Sequence, residues 1–257
     1  MLNLPKPKLG EVTAITMTSP DLELSLNYYQ KLGFTEVMRS DLPFPWIQVS
    51  DGALLIMLRQ DKNPYIALTY YIEYTSMDAV VNELEKAGIT FFEKPKDADM
   101  VKRFLFRSPD GLVVSLVSNV DSIFRQPPGP TMLTMNHQDY SKPEKYVNKT
   151  CGMFGEFAHP VADLGKSLVF WELLGFKALS KYQSPYPWAI ISDGLSVVGL
   201  HQTKTFSYPA ITFFASDMKE KINTLKKNGL LGFSGGESNI TLTTPERQHI
   251  NLFQMGL

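Results

Sequence analysis

The stretch Pro43 to Gln60, PFPWIQVSDGALLIMLRQ, returns 142 residues later as Pro185 to Gln202, PYPWAIISDGLSVVGLHQ. Laid over one another without a gap, residues 19–60 and 161–202 share 15 identities in 42 positions, where average composition would give roughly 3. The pairs include Asp21 and Asp163, Ser25 and Ser167, Leu32-Gly33-Phe34 and Leu174-Gly175-Phe176, Trp46 and Trp188, and Ser50-Asp51-Gly52 and Ser192-Asp193-Gly194. The chain is a duplication, and a fold assigned to one half must serve the other.

Each copy opens a recurring order of elements. Residues 9–17 are rich in β-branched side chains and read as a strand. Ser19-Pro20-Asp21 opens a helix, with a cap and a proline placed where its missing N–H costs nothing. Leu22, Leu26 and Tyr29 recur at helical spacing until Gly33 stops the pattern. Residues 34–39, 46–50 and 53–59 read as strands, the last two joined by a two-residue Asp51-Gly52 turn.

The order then repeats. A strand at 66–74 leads to a helix capped by Thr75-Ser76 and closed by Gly88. Strands at 89–92, 103–107 and 112–118 follow, the last two joined by the turn sequence Ser108-Pro109-Asp110-Gly111. A third unit runs from Gly155 to Gln202, its helix ending at Leu174. The fourth begins at Tyr208, with Asp217 and Glu220 in capping-box spacing and Gly229 as the stop, and ends in strands at 239–243 and 249–254. Between the halves, Gln126-Pro127-Pro128-Gly129-Pro130 excludes helix and central strand. That makes 119–150 a linker, with Met132, Leu133, Met135 and Tyr140 expected to pack across a domain seam.

Composition narrows the function. A net charge of −1 with 20% charged residues supplies no electrostatic reason to bind nucleic acid or an anionic membrane. The single Cys151 excludes an internal disulfide and fits a reducing compartment, where it reads as a passive thiol. No signal-like or membrane-spanning apolar run is present, so a cytoplasmic protein is expected. Asn148-Lys149-Thr150 and Asn239-Ile240-Thr241 match the glycosylation pattern by coincidence on that reading.

The strand, then Asp-Leu-x-x-Ser-Leu with Leu-Gly-Phe, then the Ser-Asp-Gly turn, then a partner unit with Ser-Pro-Asp-Gly, resembles the vicinal oxygen chelate superfamily, which includes glyoxalase I, extradiol dioxygenases and bleomycin-resistance proteins. The resemblance implies an α+β fold: four βαβββ modules in two tandem domains, each a curved mixed sheet around a cavity. The domains are 1–118 (modules 9–60 and 65–118) and 151–257 (modules 153–203 and 208–256).

Members of that superfamily that hold a divalent metal do so with His, Glu or Gln in the first strand of each unit and Glu or His in the last. Carried onto this chain, those positions fall near Ala14 (or Glu11 with an indel), Met57, Thr69 and Ser115 in the first half, and near Glu156, Gly199, Ala210 and Asn251 in the second. This departure argues against ordinary glyoxalase or dioxygenase chemistry, and no cofactor is expected. The alternative is a shifted site. Strand alternation lets Glu156, His201 and His249 line one cavity, and a carboxylate with two histidines is a recognised metal set. Glu156 is then the candidate catalytic residue, for a lyase, isomerase or dioxygenase. His159 lies on the opposite face from Glu156, and His137 in the linker carries no role.

What remains without a metal is an aromatic pocket. Trp46 and Trp188 each follow a Pro-aromatic-Pro loop, whose prolines fix Phe44 and Tyr186 and limit the entropy lost on docking a ligand. Two readings of these rings stand, pocket wall or core, whereas Tyr28, Tyr29, Phe170 and Trp171 read as core. The Ser-Asp-Gly sequences are turns with no histidine placed to activate their serines. The expected function is metal-independent binding of a small aromatic or amphiphilic molecule, with one cavity per half, the second half favoured as the working one, and Phe44, Trp46, Tyr186, Trp188, Glu156 and Asn251 as contacts. The protein is expected to be a monomer or homodimer whose partner is that small molecule, without nucleic acid or membrane.

Overall fold

The computed structural model describes residues 4–60, 65–99, 101–118, 129–230 and 232–256. Gln126-Pro127-Pro128 lie outside the described residues.

The first module is β1 (Val12–Thr18), α1 (Leu22–Lys31), β2 (Thr35–Ser40), β3 (Trp46–Ser50) and β4 (Leu55–Arg59), and the second is β5 (Ile66–Ile72), α2 (Met77–Lys86), β6 (Arg103–Arg107) and β7 (Val113–Ser118). The third is β8 (Met153–Pro160), α3 (Leu164–Leu173), β9 (Lys177–Tyr182), β10 (Trp188–Ser192) and β11 (Val197–His201). The fourth is β12 (Ala210–Ala215), α4 (Met218–Lys227), β13 (Phe233–Gly235), β14 (Asn239–Thr243) and β15 (His249–Gln254). Two mixed sheets result, ordered β2-β3-β4-β1-β5-β7-β6 and β13-β14-β15-β12-β8-β11-β10-β9. Each is built from two modules that join through antiparallel first strands, Ala14 opposite Thr69 and Glu156 opposite Thr212.

Several local expectations are corrected. The strand expected at 89–92 is reduced to an isolated bridge between Glu93 and Leu105. Asp21 and not Pro20 borders α1, accepting from the Leu24 N–H at 2.9 Å, so Pro20 stands before the cap. Asp217 makes no capping bond to its helix and instead faces Lys221 Nζ at 3.4 Å, because its backbone is outside the extended region a capping box needs. The Asp51-Gly52 turn has four residues between β3 and β4. Asp51 Oδ1 accepts from the N–H groups of Ala53 and Leu54 at 2.9 and 2.8 Å, which closes the longer loop. Gly52 supplies the positive φ (93°) this turn requires, as does Gly194 (98°) in the second copy.

One continuous core runs through both halves. Tyr29, Leu32, Phe34, Trp171, Leu174 and Phe213 are all buried, each such side chain contributing on the order of 1.5–3 kcal/mol by removal from water. The seam is pseudo-symmetric. Asp193 Oδ2 accepts from the Tyr70 hydroxyl at 2.7 Å, while its counterpart Asp51 Oδ2 accepts from Asn148 Nδ2 at 3.0 Å. Burial raises the pKa of both carboxyls despite these bonds. The equivalent serines also reach across: Ser25 Oγ donates to Glu246, and Ser167 Oγ to Asp110.

The described part of the linker is welded to this seam. Met132, Leu133, Met135 and Tyr140 pack against the shared core. Tyr146 is buried, with its hydroxyl on the Tyr140 carbonyl. The Asn148 side chain is buried and bonded to Leu32 O and Asp51, which accounts for it as a structural residue. Cys151 is fully buried, and burial pushes its thiol pKa far up, as a passive thiol requires. No helix among the described residues is long and apolar enough to cross a membrane.

Candidate functional site

In each sheet the helices cover one face, and the opposite face carries the positions where the superfamily places its chemistry. The 142-residue offset sets Ala14 against Glu156, Met57 against Gly199, Arg59 against His201, and Trp46 against Trp188.

In the first half this face encloses a cavity of about 550 Å³, lined by Phe44, Trp46, Met57, Arg59, Tyr65, Thr69, Tyr71 and Ser115 among others. A cavity of that size and aromatic make-up suits a small organic molecule. Trp46 is held in its wall by an Nε1–H bond to Leu42 O at 3.0 Å. The cis Leu42–Pro43 bond and Phe44 complete that corner. The Arg59 guanidinium is buried over two rings, 4.3 Å from the Tyr65 centroid and 5.3 Å from that of Phe44. Thr16 and Thr69 share a hydroxyl bond of 2.7 Å on the cavity floor. Of the superfamily's ligand positions, Ala14 and Met57 offer no donor, and Thr69 and Ser115 offer neutral hydroxyls. Glu11 is taken up elsewhere, accepting from the N–H groups of Glu73 and Thr75 and from the Thr75 hydroxyl.

The second half sets polar and aromatic side chains on the equivalent face. Glu156 Oε1 lies 3.1 Å from His201 Nε2, and both residues are buried. Trp188 stacks on the His201 ring at 5.5 Å with the planes 4° apart, and Tyr182 stacks on Trp188 at 4.1 Å. The Tyr186 hydroxyl is 3.4 Å from His201 Nδ1, and Phe206 meets the imidazole edge-on at 5.6 Å. A Cβ at Gly199 would stand 1.8 Å from Glu156 Oε2, so the carboxylate occupies the volume a side chain at 199 would need. That oxygen is buried with no hydrogen-bond partner. Trp188 is anchored as Trp46 is, through Nε1–H to Ser184 O at 3.2 Å.

The structure therefore brings Phe44 and Trp46 together at one cavity and Glu156, His201, Tyr186 and Trp188 together in the other half. His249 is set against Tyr208, ring centroids 4.7 Å apart, and Asn251 bonds Thr241 and Thr212, one strand removed from Glu156 in the same row of the sheet. The strand register also replaces Ala210 with Thr212 as the residue opposite Glu156. His159 is buried on the far side of β8, where burial lowers its pKa to about 4. Arg59, Tyr65, Tyr71 and Phe206 were not singled out from sequence. The offset from His201 pointed to Arg59, whereas the loop residues Tyr65 and Phe206 gave no local signal.

A divalent ion of the superfamily's kind needs three converging donors and an open position. Among the described residues no three of His, Cys, Asp and Glu converge. Glu156 and His201 make two, already bonded to each other, so the donor set does not fit that ion.

Two modules per sheet, paired through their first strands around a cavity face, define the vicinal oxygen chelate fold. Residues 11–116 match the family model described as Glyoxalase/Bleomycin resistance protein/Dioxygenase superfamily. The family model thus covers part of the first half, and the chain as a whole shares the superfamily's fold in a duplicated, four-module form. Solved structures resemble it from end to end. The 2,3-dioxygenase LapB from Pseudomonas sp. KL28 is 14% identical with a TM-score of 0.58, covering 95% of this chain and 91% of its own. A catechol 2,3-dioxygenase is 15% identical with a TM-score of 0.59, covering 98% and 89%. Homoprotocatechuate 2,3-dioxygenase from Arthrobacter globiformis is 15% identical with a TM-score of 0.61, covering 99% and 82%. At such identity the likeness is one of fold. No curated protein matches at the level of sequence.

Proposed function

We propose that the protein is a metal-independent binder of a small aromatic or amphiphilic molecule, acting in the cytoplasm as a monomer or homodimer, with the first-half cavity as its site. The observation that carries this reading is the cavity of about 550 Å³ with rings at Phe44, Trp46, Tyr65 and Tyr71 and no acidic or imidazole ligand at Ala14, Met57, Thr69 or Ser115. Rings held by their own hydrogen bonds and prolines lose little entropy when a flat ligand docks. Calorimetric titration with a panel of aromatic acids, amides and phenols, in the presence of a chelator, tests it. Binding should survive the chelator, and Trp46→Ala should weaken it on the order of ten-fold or more, the effect of removing one well-packed aromatic anchor. A panel with no binder, or binding that vanishes with the chelator, would sink the reading.

A second reading, a metal-dependent lyase, isomerase or dioxygenase centred on Glu156 and His201, is favoured by one observation: Glu156 Oε2 is buried without a hydrogen-bond partner beside the histidine. Metal content by mass spectrometry decides between the two. Stoichiometric metal in the wild type that is lost in Glu156→Ala would support this second reading over the first.

A further inference from the structure

A groove of about 1080 Å³ lies between the two halves, away from both cavity faces. The 107–113 turn walls it on one side, and residues 159–162 and the 202–209 connection wall it on the other. That is room for a molecule of mononucleotide size. His159 belongs to this lining and is only 3% exposed. Among the described residues, neither of its ring nitrogens has a hydrogen-bond partner. Burial pushes its pKa down to about 4, against the opposing pull of the Asp110 carboxylate and backbone. The neutral ring therefore presents one N–H and one bare nitrogen.

The duplication supplies a control. At the same two positions of the repeat, His159 and Trp171 stand where the first half has Met17 and Tyr29. The Tyr29 hydroxyl lies 3.6 Å from Met17 Sδ and 3.4 Å from Glu246 Oε2, so that pair is satisfied from within the chain. In the second half the Trp171 Nε1–H, like both His159 nitrogens, is buried without a partner. Buried polar groups are nearly always paired, so an imidazole left unpaired in the wall of a groove points to a ligand.

Charge defines the ligand's other end. Asp110 is the one carboxylate in the lining, and both its oxygens are engaged: Oδ1 accepts from the Ala162 N–H at 2.8 Å and Oδ2 from the Ser167 hydroxyl. Arg107 and Lys204 line the groove from opposite halves, and both are exposed. Arg107 gives one N–H to Gly111 O at 3.3 Å and lies over the Phe92 ring at 4.7 Å, which orients a fork of five donors. A guanidinium and an ammonium together suit the several oxygens of a phosphate. A neutral imidazole suits a hydroxyl or amide, which likewise offers a donor and an acceptor.

We propose that this groove is a separate ligand site, for a phosphate ester of about mononucleotide size whose ring carries a hydroxyl or amide. Arg107 and Lys204 hold the phosphate, and His159 pairs with the ring group. The site is independent of the aromatic cavity in the first half.

The experiment titrates the full chain with three matched pairs: uridine monophosphate and uridine, adenosine monophosphate and adenosine, and pyridoxine phosphate and pyridoxine. Calorimetry gives the affinities, and NMR of ¹⁵N-histidine protein follows the four imidazoles. The best ester should bind about ten-fold or more tighter than its phosphate-free partner. It should also shift the His159 ring nitrogens, assigned from their loss in His159→Gln. Arg107→Gln with Lys204→Gln should bring ester and partner to within about two-fold. His159→Leu should weaken the ester about ten-fold, and His159→Gln, which keeps a donor and an acceptor, should weaken it less. No ester binding below about 1 mM would overturn the site. So would an ester that binds without moving the His159 nitrogens, since the phosphate would then be held elsewhere on the surface. Both readouts use the wild type, so a variant that fails to fold leaves the test intact.

Discussion

On the open faces of the two sheets, the first half carries Ala14, Met57, Arg59 and Trp46, and the second carries Glu156, Gly199, His201 and Trp188 at the same four positions. The tryptophans are anchored alike, by an indole N–H to the carbonyl four residues earlier. The other three have changed together. A small residue on the first strand accompanies a large one on the fourth in the first half, and the sizes are reversed in the second. Glu156 fits only because residue 199 has no side chain. One scaffold thus supports a cavity lined by Arg59 and a face carrying a hydrogen-bonded Glu156–His201 dyad, with a volume swap at two positions between them. Close packing explains why they move as a pair, since neither an overlap nor a void at such a contact is tolerated cheaply.

The largest effect should come from forcing one half's residue into the other. Gly199→Met puts a side chain where Glu156 Oε2 lies and should destabilise the protein by roughly 3 kcal/mol in urea unfolding, the upper range for overpacking a filled site. Adding Glu156→Ala, which recreates the first half's pairing, should recover at least about 1 kcal/mol of that loss as a coupling energy. A strictly additive double mutant would break the volume-swap argument.

Next in size is the seam. Tyr70→Phe leaves Asp193 without its cross-half donor and should cost about 1–3 kcal/mol, while the Ser196 hydroxyl loses a partner at 2.7 Å as well. Little or no change would mean that water replaces the phenol there.

The pH dependence of that seam should be smaller. Asp193 titrates above the ordinary 3.8 in the folded chain because it is buried. A raised folded pKa means that the folded state binds the proton more tightly, so this contribution is full below 3.8 and is lost as pH rises through the folded value. Unfolding measured on the wild type and on Asp193→Asn should show a stability difference that falls with rising pH across that window and is flat above it. The same sign is expected for Asp51. A difference that grew with pH would contradict the buried-carboxyl account.

The smallest effect should be the serine pair. Ser25→Ala and Ser167→Ala each remove a bond to a carboxylate of the other half and should each cost about 1 kcal/mol, equally if the seam is symmetric. Unequal losses would show which half leans on the other.

Much of this arrangement was legible in the chain. The 142-residue offset gave the duplication and matched the two cavity faces, because side chains repeated along matching strands must point the same way, and the strand, cap and turn patterns gave the four modules and their order. Phe44 and Trp46 were legible as cavity candidates through their prolines, and Glu156 as a lone carboxylate at a position that Ala14 fills in the other copy. The strand expected at 89–92 was not obtained, since a short apolar run forms a strand only if a neighbour pairs with it. His249 was grouped with Glu156 by alternation, yet alternation gives only the face of a strand. Distance across the sheet depends on strand order, and β12 stands between β15 and β8. The role of Asp51 and Asp193 was half visible: their turn bonds are local, whereas Tyr70 and Asn148 lie far away in the chain.

The sequence by itself determined the duplication, the βαβββ order, the core helix faces and the missing metal ligands at the superfamily's positions, because each depends on residue identity or on spacing along one element. Only the tertiary structure decided that Glu156 and His201 bond one another on the second half's face, that the first half's face holds a cavity beside Arg59, and that the buried aspartates bond to distant partners at the seam. Those outcomes depend on which strands become neighbours and on a few ångströms of volume between residues 45 or more positions apart, such as Glu156 and His201. No local pattern encodes them.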